Sequence, residues 1–359
     1  MFELLEELTG LPGPSGYERA VARRMLAGLR QLGIEANMDR MGNVVGYVPG
    51  RSHTRKILVT AHTDEVGLMV KYISDDGFLY LEQNGVVNSI SLPGTQVQIV
   101  TRERLYAGVI GTKSAHLLSE EEARRLPLLP ELWVDVGASS RAEVLAWGIR
   151  HGTPVIYHPN FQRMGDDCAV SKAIDDRAGC AVLLSALQAL AHTTLDVDLY
   201  VAAVVQEEVG SRGALVTARR IAPDWAIALD TVPARDPATA PQRASAELGK
   251  GPVLRAMESL PNLMGTIFSE RVNQRLTEAA EAAGVPFQYD VFRTWSDADT
   301  ISLQGEQGVS MGGIFIPRRH SHSAAEVVSR RDLEAACSLL VAFLKSLSED
   351  DLGRASWLD

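Results

Sequence analysis

Thiols are scarce. The chain of 359 residues has three cysteines, Cys168, Cys180 and Cys337, an odd number with no CxxC spacing. That argues against a disulfide scaffold and a thiolate zinc site, and it fits a reducing compartment. The three read as small buried hydrophobes. An excess of basic charge is missing as well. Asp+Glu is 45 against Lys+Arg 35, a net charge of −10, so the electrostatic footprint of a nucleic-acid binder is absent. No apolar run spans a bilayer: the longest, Ala178 to Ala191, is too short and too interrupted. The N-terminal MFELLEELTGLPGPSG is acidic. It reads as a short amphipathic helix ending at Gly10, and it lacks the basic start and apolar run of a secretory signal. The expectation is a soluble cytoplasmic protein with neither nucleic-acid nor membrane partners. Also absent are G-x-G-x-x-G, a P-loop, H-E-x-x-H and G-x-S-x-G.

What is present is ordinary globular material. Apolar residues make up 46% and charged residues 22%, enough for a large core in one large or two moderate domains. Four continuous apolar runs read as buried parallel strands: Ile57–Ala61, Leu199–Val205, Trp225–Leu229 and Met311–Ile316. Helix patterns alternate with them. One covers Arg177 to Ala191 behind Asp175-Asp176, one covers Val272 to Ala283 before Gly284, and one covers Arg331 to Leu347 after Ser329. The fold class is therefore α/β with a mainly parallel sheet.

The stretch 70–160 has another texture. Short alternating runs such as Val97–Val100 and Leu105–Ile110 are punctuated by Asp76-Gly77, Asn84-Gly85 and Pro93-Gly94. That pattern predicts a small β-rich domain, barrel or sandwich, inserted at 70–160 into an α/β domain made of 1–69 and 161–359. The Pro/Ala-rich stretch Val232 to Ala246 reads as a loop near the site.

Chemistry gathers where the strands end. The first buried strand runs into His62-Thr63-Asp64-Glu65, the second into Gln206-Glu207-Glu208, the third into Asp230, and the fourth into Arg318-Arg319-His320-Ser321-His322. Asp175-Asp176 sits at a helix start. Open α/β sheets bind ligands outside the carboxyl ends of their strands, so five acidic or histidine clusters at that edge form a metal constellation. Imidazole with carboxylate suits Zn²⁺, Co²⁺ or Mn²⁺. Two such ions about 3.5–4 Å apart can clamp a water and a scissile carbonyl. A carboxylate that binds no metal can then take the proton from the water, and adjacent Glu207 and Glu208 can divide these duties. Each cluster alone reads more simply as a strand end, a solvated turn or a helix cap; only their joint placement points to metal.

These residues carry a resemblance. AHTDEVG (61–67), GVIGTKSAHLL (108–118), VDVGASS (134–140), SKAIDDRAG (171–179), QEEVGSRGA (206–214), ALDT (228–231) and HSAAE (322–326) make the chain similar, over nearly its whole length, to the M42 metalloaminopeptidases, the tetrahedral or glutamyl aminopeptidase group. The resemblance implies that His62 and Asp230 bind one metal, that Glu208 and His322 bind the other, and that Asp175 bridges them. It implies Glu207 as the general base, Asp64 as the group holding the His62 ring, and a cis Asp175–Asp176 peptide bond. It implies two divalent ions per chain, peptide substrates, and a PDZ-like β insert that drives assembly, often to a hollow dodecamer built from dimers. All five ligands and the base lie outside 70–160.

Two departures stand out. The family pattern R-Y-x-H-S-P reads Arg319-His320-Ser321-His322-Ser323-Ala324 here, which leaves His320 as a second candidate imidazole. Ser323 and Glu326 keep the H-S-x-x-E spacing from His322. Where the family has G-T-D-A, this chain has Trp295-Ser296-Asp297-Ala298, a stretch expected to line the substrate pocket. The rival readings are a small-molecule amidohydrolase or deacylase on the same metals, and a silent scaffold. A complete ligand set and base argue against the scaffold. A glycosidase would need a carboxylate pair flanking a sugar without metal.

Overall fold

The computed structural model describes residues 1–260 and 265–353. The apolar runs are continuous because both faces of the central strands are covered. In the strand Lys56–His62, Ile57, Val59 and Ala61 pack with the helices Phe2–Gly10, Arg19–Gln31, Ile174–Ala189 and Arg330–Ser346. Leu58 faces the other way, among side chains of the helices Arg212–Ile221 and Ala298–Ile301. Alternation of Cβ direction along a strand divides the two cores.

Among the described residues the largest sheet has twelve strands. Its centre is parallel, with Lys56–His62 between Asp198–Val204 and Trp225–Pro233, followed by Ser310–Arg319. The flanks are antiparallel. Val44–Val48 pairs with Asp198–Val204, Glu326–Ser329 returns against Ser310–Arg319, and Cys168–Ser171 pairs with Glu326–Ser329. The sheet is thus mixed and not mainly parallel. Only strands covered on both faces leave an uninterrupted apolar run in sequence. Edge strands such as Glu35–Met38 and Gln162–Met164 are mostly exposed and leave none.

The helix readings hold with small shifts at the ends. Ile174–Ala189 starts three residues earlier than its pattern, because Asp175 and Asp176 lie inside it with non-helical dihedrals. The Ser329 side chain accepts from the Arg331 N–H and caps Arg330–Ser346. Gly284 closes Glu270–Ala283 in the left-handed conformation, which costs glycine least.

Six antiparallel strands close a separate small barrel: Gly67–Ile73, Leu79–Asn84, Trp133–Asp135, Leu105–Gly111, Gln96–Val100 and Pro154–Tyr157, in that order around it. It has its own core, including Leu68, Val70, Leu81, Val97, Ile110 and Val155. The turn-rich stretch is therefore a barrel and not a sandwich. Closure pairs the strand edges that would otherwise be open.

A buried ionic knot fixes the N-terminal segment beneath the site. Lys172 Nζ donates to both Glu65 oxygens at 2.8 and 2.9 Å, with the two side chains 0% and 2% exposed. The Gly13 N–H donates to Glu65 at 3.1 Å, and Arg177 Nη1 donates to the Leu8 carbonyl at 2.6 Å. Lys172→Met would strand the Glu65 charge. Unfolding free energy should fall by about 3–5 kcal/mol, the usual result of breaking a buried pair from one side. Urea titration measures it, and a loss below about 1 kcal/mol would mean that Arg177 alone compensates Glu65.

Candidate metal centre

Four parallel strands run to one edge and bring His62, Glu207-Glu208, Asp230 and the Arg318–His322 turn there; Asp230 lies within Trp225–Pro233 and not after it. The start of the helix Ile174–Ala189 supplies Asp175 from the side. His62 Nε2 lies 3.1 Å from Asp175, 3.8 Å from Asp230 and 3.9 Å from Glu207. His322 Nε2 lies 3.2 Å from Asp175 and 3.5 Å from Glu208. Donor atoms of His62, Asp175 and Asp230 fall within 4.8 Å of one another, as do those of Asp175, Glu208 and His322, and those of His62, Glu207 and Glu208. Asp175 is common to the first two sets. His320, the alternative imidazole, is exposed and stands outside these sets.

Asp64 is fully buried and works through what surrounds it. One carboxylate oxygen lies 3.5 Å from His62 Nδ1 and accepts from the Glu207 N–H at 2.9 Å. The other accepts from the Glu208 N–H at 3.1 Å and from Ser15 Oγ at 2.6 Å. One side chain thus braces the Glu207-Glu208 backbone and stands beside the His62 ring, whose Nδ1 makes no hydrogen bond. Asp176 holds the backbone around the centre, accepting from the Gly179 N–H at 2.9 Å and from the His62 N–H at 3.2 Å. A Cβ on Gly179 would meet the Asp176 carboxylate at 2.4 Å, so glycine is needed there. The Asp175–Asp176 peptide bond is cis.

The barrel reaches into this centre. His322 Nδ1 lies 2.5 Å from the Val86 carbonyl, and the Asn88 N–H donates to the His322 carbonyl at 3.1 Å. A carbonyl on Nδ1 calls for a proton there and leaves Nε2 free as a lone-pair donor. Gly85 has φ +83°, and a Cβ on it would lie 3.2 Å from the Glu208 Cβ. The stretch 70–160 supplies no side-chain donor, but its loop holds His322 in place and passes close to Glu208.

Sequence reasoning gave no role to Ser15, Glu18, Arg318 or Glu326. Glu18 accepts from the Gln206 and Gly16 N–H groups at 3.2 and 2.7 Å; burial and the charge of Asp64 push its carboxyl up to about 7. Glu326 accepts from the His322 and Asp175 N–H groups at 2.7 and 3.1 Å. The H-S-x-x-E spacing was the one available signal for it. The stretch from Trp295 to Ala298 is largely buried. Asp297 has an oxygen without a partner, and its carboxyl is held up at about 7 by burial, with Asp230 and Asp64 adding to the effect.

Electrostatically the centre is crowded with anions. Burial pushes the carboxyls of Glu207 and Asp230 up, and neighbouring carboxylates push them further. Glu208 is raised to about 7 by burial together with Asp175 and Asp64. Burial disfavours a charged His62 ring, but Asp175, Asp230 and Asp64 outweigh it and raise the ring well above its usual range. Such a site calls for cations.

Fold and site bring carboxylates and imidazoles that could hold metal ions to one edge of a mixed sheet in an α/β fold. The sequence profile of the M42 glutamyl aminopeptidase family matches residues 42–339, and the chain belongs to that family. It is a peptidase of a metal-dependent family. It is 32% identical to the lysyl aminopeptidase of Pyrococcus furiosus, over 98% of this chain and 98% of that one. The aminopeptidase APDkam598 of the archaeon Desulfurococcus kamchatkensis superposes with a TM-score of 0.92 at 40% identity, covering 98% of this chain and 96% of that one. The Pyrococcus horikoshii TET1 peptidase gives 0.85 at 29% identity, covering 96% and 99%. That protein can assemble into a tetrahedron or a large octahedral shell. Among the described residues no helix is long and apolar enough to cross a membrane.

Proposed function

We propose that the protein is a dinuclear metal aminopeptidase that removes N-terminal residues from peptides in the cytoplasm. The observation that carries the reading is Asp175, shared by the buried set His62–Asp175–Asp230 and by the set Asp175–Glu208–His322, in which His322 is half-buried. The residues fit divalent ions. The donors are carboxylate and imidazole, as Zn²⁺, Co²⁺ and Mn²⁺ prefer, and Glu208 has a buried oxygen without a hydrogen-bond partner. His62, Asp175 and Asp230 would hold one ion; Asp175, Glu208 and His322 would hold the other. Bound there, the pair would polarise the scissile carbonyl and acidify the attacking water.

The chain's own groups supply proton traffic and order. Glu207 accepts the proton of the attacking water and returns it to the departing amine. Asp64 fixes Glu207 through the backbone and stands beside the His62 ring. His320 is too exposed to share the work. His322→Ala should therefore abolish turnover, while His320→Ala should stay within about threefold of the parent; the opposite ranking in a peptidase assay would move the ligand to His320.

For assembly, the reading is a hollow dodecamer built from dimers, with the region 70–160 as the subunit interface and PDZ-like in kind. Support comes from apolar side chains exposed there: Ile90 65%, Leu105 43%, Leu117 69%, Leu126 57% and Leu128 65%. Apolar side chains exposed in one region are what a subunit interface would cover. One preparation tests the whole reading. Metal-stripped protein is reloaded with Zn²⁺, Co²⁺ or Mn²⁺ and assayed on leucyl-p-nitroanilide, a dipeptide panel and N-acetylated amino acids, with its mass followed by light scattering. Preference for N-acetylated substrates would make it a deacylase, and an active monomer would end the assembly reading.

A further inference from the structure

Arg318 has no part in the chemistry above, yet it stands among the donors. Its side chain is 3% exposed. A buried guanidinium keeps its charge and must be paired. Nη2 donates to Asp175 Oδ2, Nη1 to Glu326 at 2.9 Å and to Ser321 Oγ, and Nε to Thr231 Oγ1 at 2.5 Å. The fork is gripped by the neighbouring strand, by the turn that carries His322, and by Glu326.

The consequence is an asymmetry in Asp175. Oδ1 faces His62 Nε2 at 3.1 Å. Oδ2 faces both His322 Nε2, at 3.2 Å, and the Arg318 guanidinium. The donor set with His62 and Asp230 thus meets an oxygen of Asp175 that no fixed cation occupies. The set with Glu208 and His322 meets an oxygen already engaged by a permanent positive charge. A cation entering there is repelled by Arg318 and shares a carboxylate oxygen with it.

We propose that Arg318 is a resident counter-cation on the bridging carboxylate, making Asp175–Glu208–His322 the weaker of two divalent-cation sites and causing the two to fill in order. The inference rests on the two-cation reading. Because arginine does not lose its proton, the competition is built into the site. Arg318 also keeps Asp175 and Glu326 paired when the weaker site is empty, so the fold does not depend on full loading.

The test is calorimetric titration of Co²⁺ into the metal-stripped full-length protein, with the visible absorption of the bound ion followed in parallel. The parent should bind two ions with dissociation constants at least about tenfold apart. Arg318→Gln keeps a donor for Glu326 without the charge, and Arg318→Met removes both. In either neutral variant the weaker event should tighten by about tenfold or more, while the tighter one moves less than about threefold. Arg318→Lys retains the charge and should leave the weaker event within about threefold of the parent. A neutral variant whose weaker event is unchanged or loosened overturns this inference and leaves the two-cation reading standing. A parent that binds no Co²⁺ overturns both.

Discussion

Glu207→Gln should lower peptide turnover by about 10²–10⁴-fold, the usual worth of a general base, while cation binding and thermal stability stay close to the parent. The two readouts separate because of how Glu207 is held. Its position comes from the backbone N–H, which donates to Asp64 at 2.9 Å, and glutamine preserves that bond. The side chain is lost only as a proton acceptor. Removing one of several crowded carboxylates also relieves repulsion with Glu208 and Asp230, so the variant has no cause to unfold. Glu208→Gln should behave in the opposite sense, with cation affinity falling first, because its carboxylate stands 3.5 Å from His322 Nε2 within a donor set. Steady-state kinetics beside calorimetry on both variants decides the matter. Parent-like turnover in Glu207→Gln would remove it from the proton path.

The sequence made some parts of this molecule legible and hid others, for physical reasons. Buried central strands reveal themselves because a strand covered on both faces carries few polar residues until it nears its carboxyl end. The first polar residues after such a run therefore sit at the carboxyl edge, and His62, Glu207 and Asp230 were found that way. The barrel was legible from its turns, since tight connections need Gly, Asn, Asp or Pro at set places. The antiparallel flanks were not, because half-exposed strands such as Glu35–Met38 carry no strong period. Nor were contacts that depend on tertiary arrangement. Ser15 reaches Asp64 across 49 residues, Arg318 reaches Asp175 across 143, and Val86 meets His322 across 236. No local pattern encodes a partner so distant. The sequence therefore presented 70–160 as chemically idle, whereas its loop at Gly85–Asn88 sets the ring of His322.

Asp175→Asn should have the broadest effect of any single substitution in the centre. Partners that only orient a metal ligand are typically worth about 10–100-fold in affinity. A carboxylate shared by both donor sets should exceed that at each, so both Co²⁺ events should weaken by more than about 100-fold. Arg318 sharpens the expectation. With Asp175 neutral, the guanidinium keeps Glu326 as its one close anion, and its charge beside the Glu208–His322 set is less compensated. The metal-free protein should suffer too. Asp175 contacts His62, His322 and Arg318, and their charges hold its carboxyl well below the usual range against the effect of burial. Taking one partner from such a buried network commonly lowers stability by about 3–5 kcal/mol. The loss should therefore appear in chelator, where cation binding cannot contribute, as well as in excess Co²⁺. Urea unfolding under both conditions tests it. A variant as stable as the parent in chelator but defective in Co²⁺ would show Asp175 to be a ligand alone. One that still binds both ions tightly would remove it from the bridge.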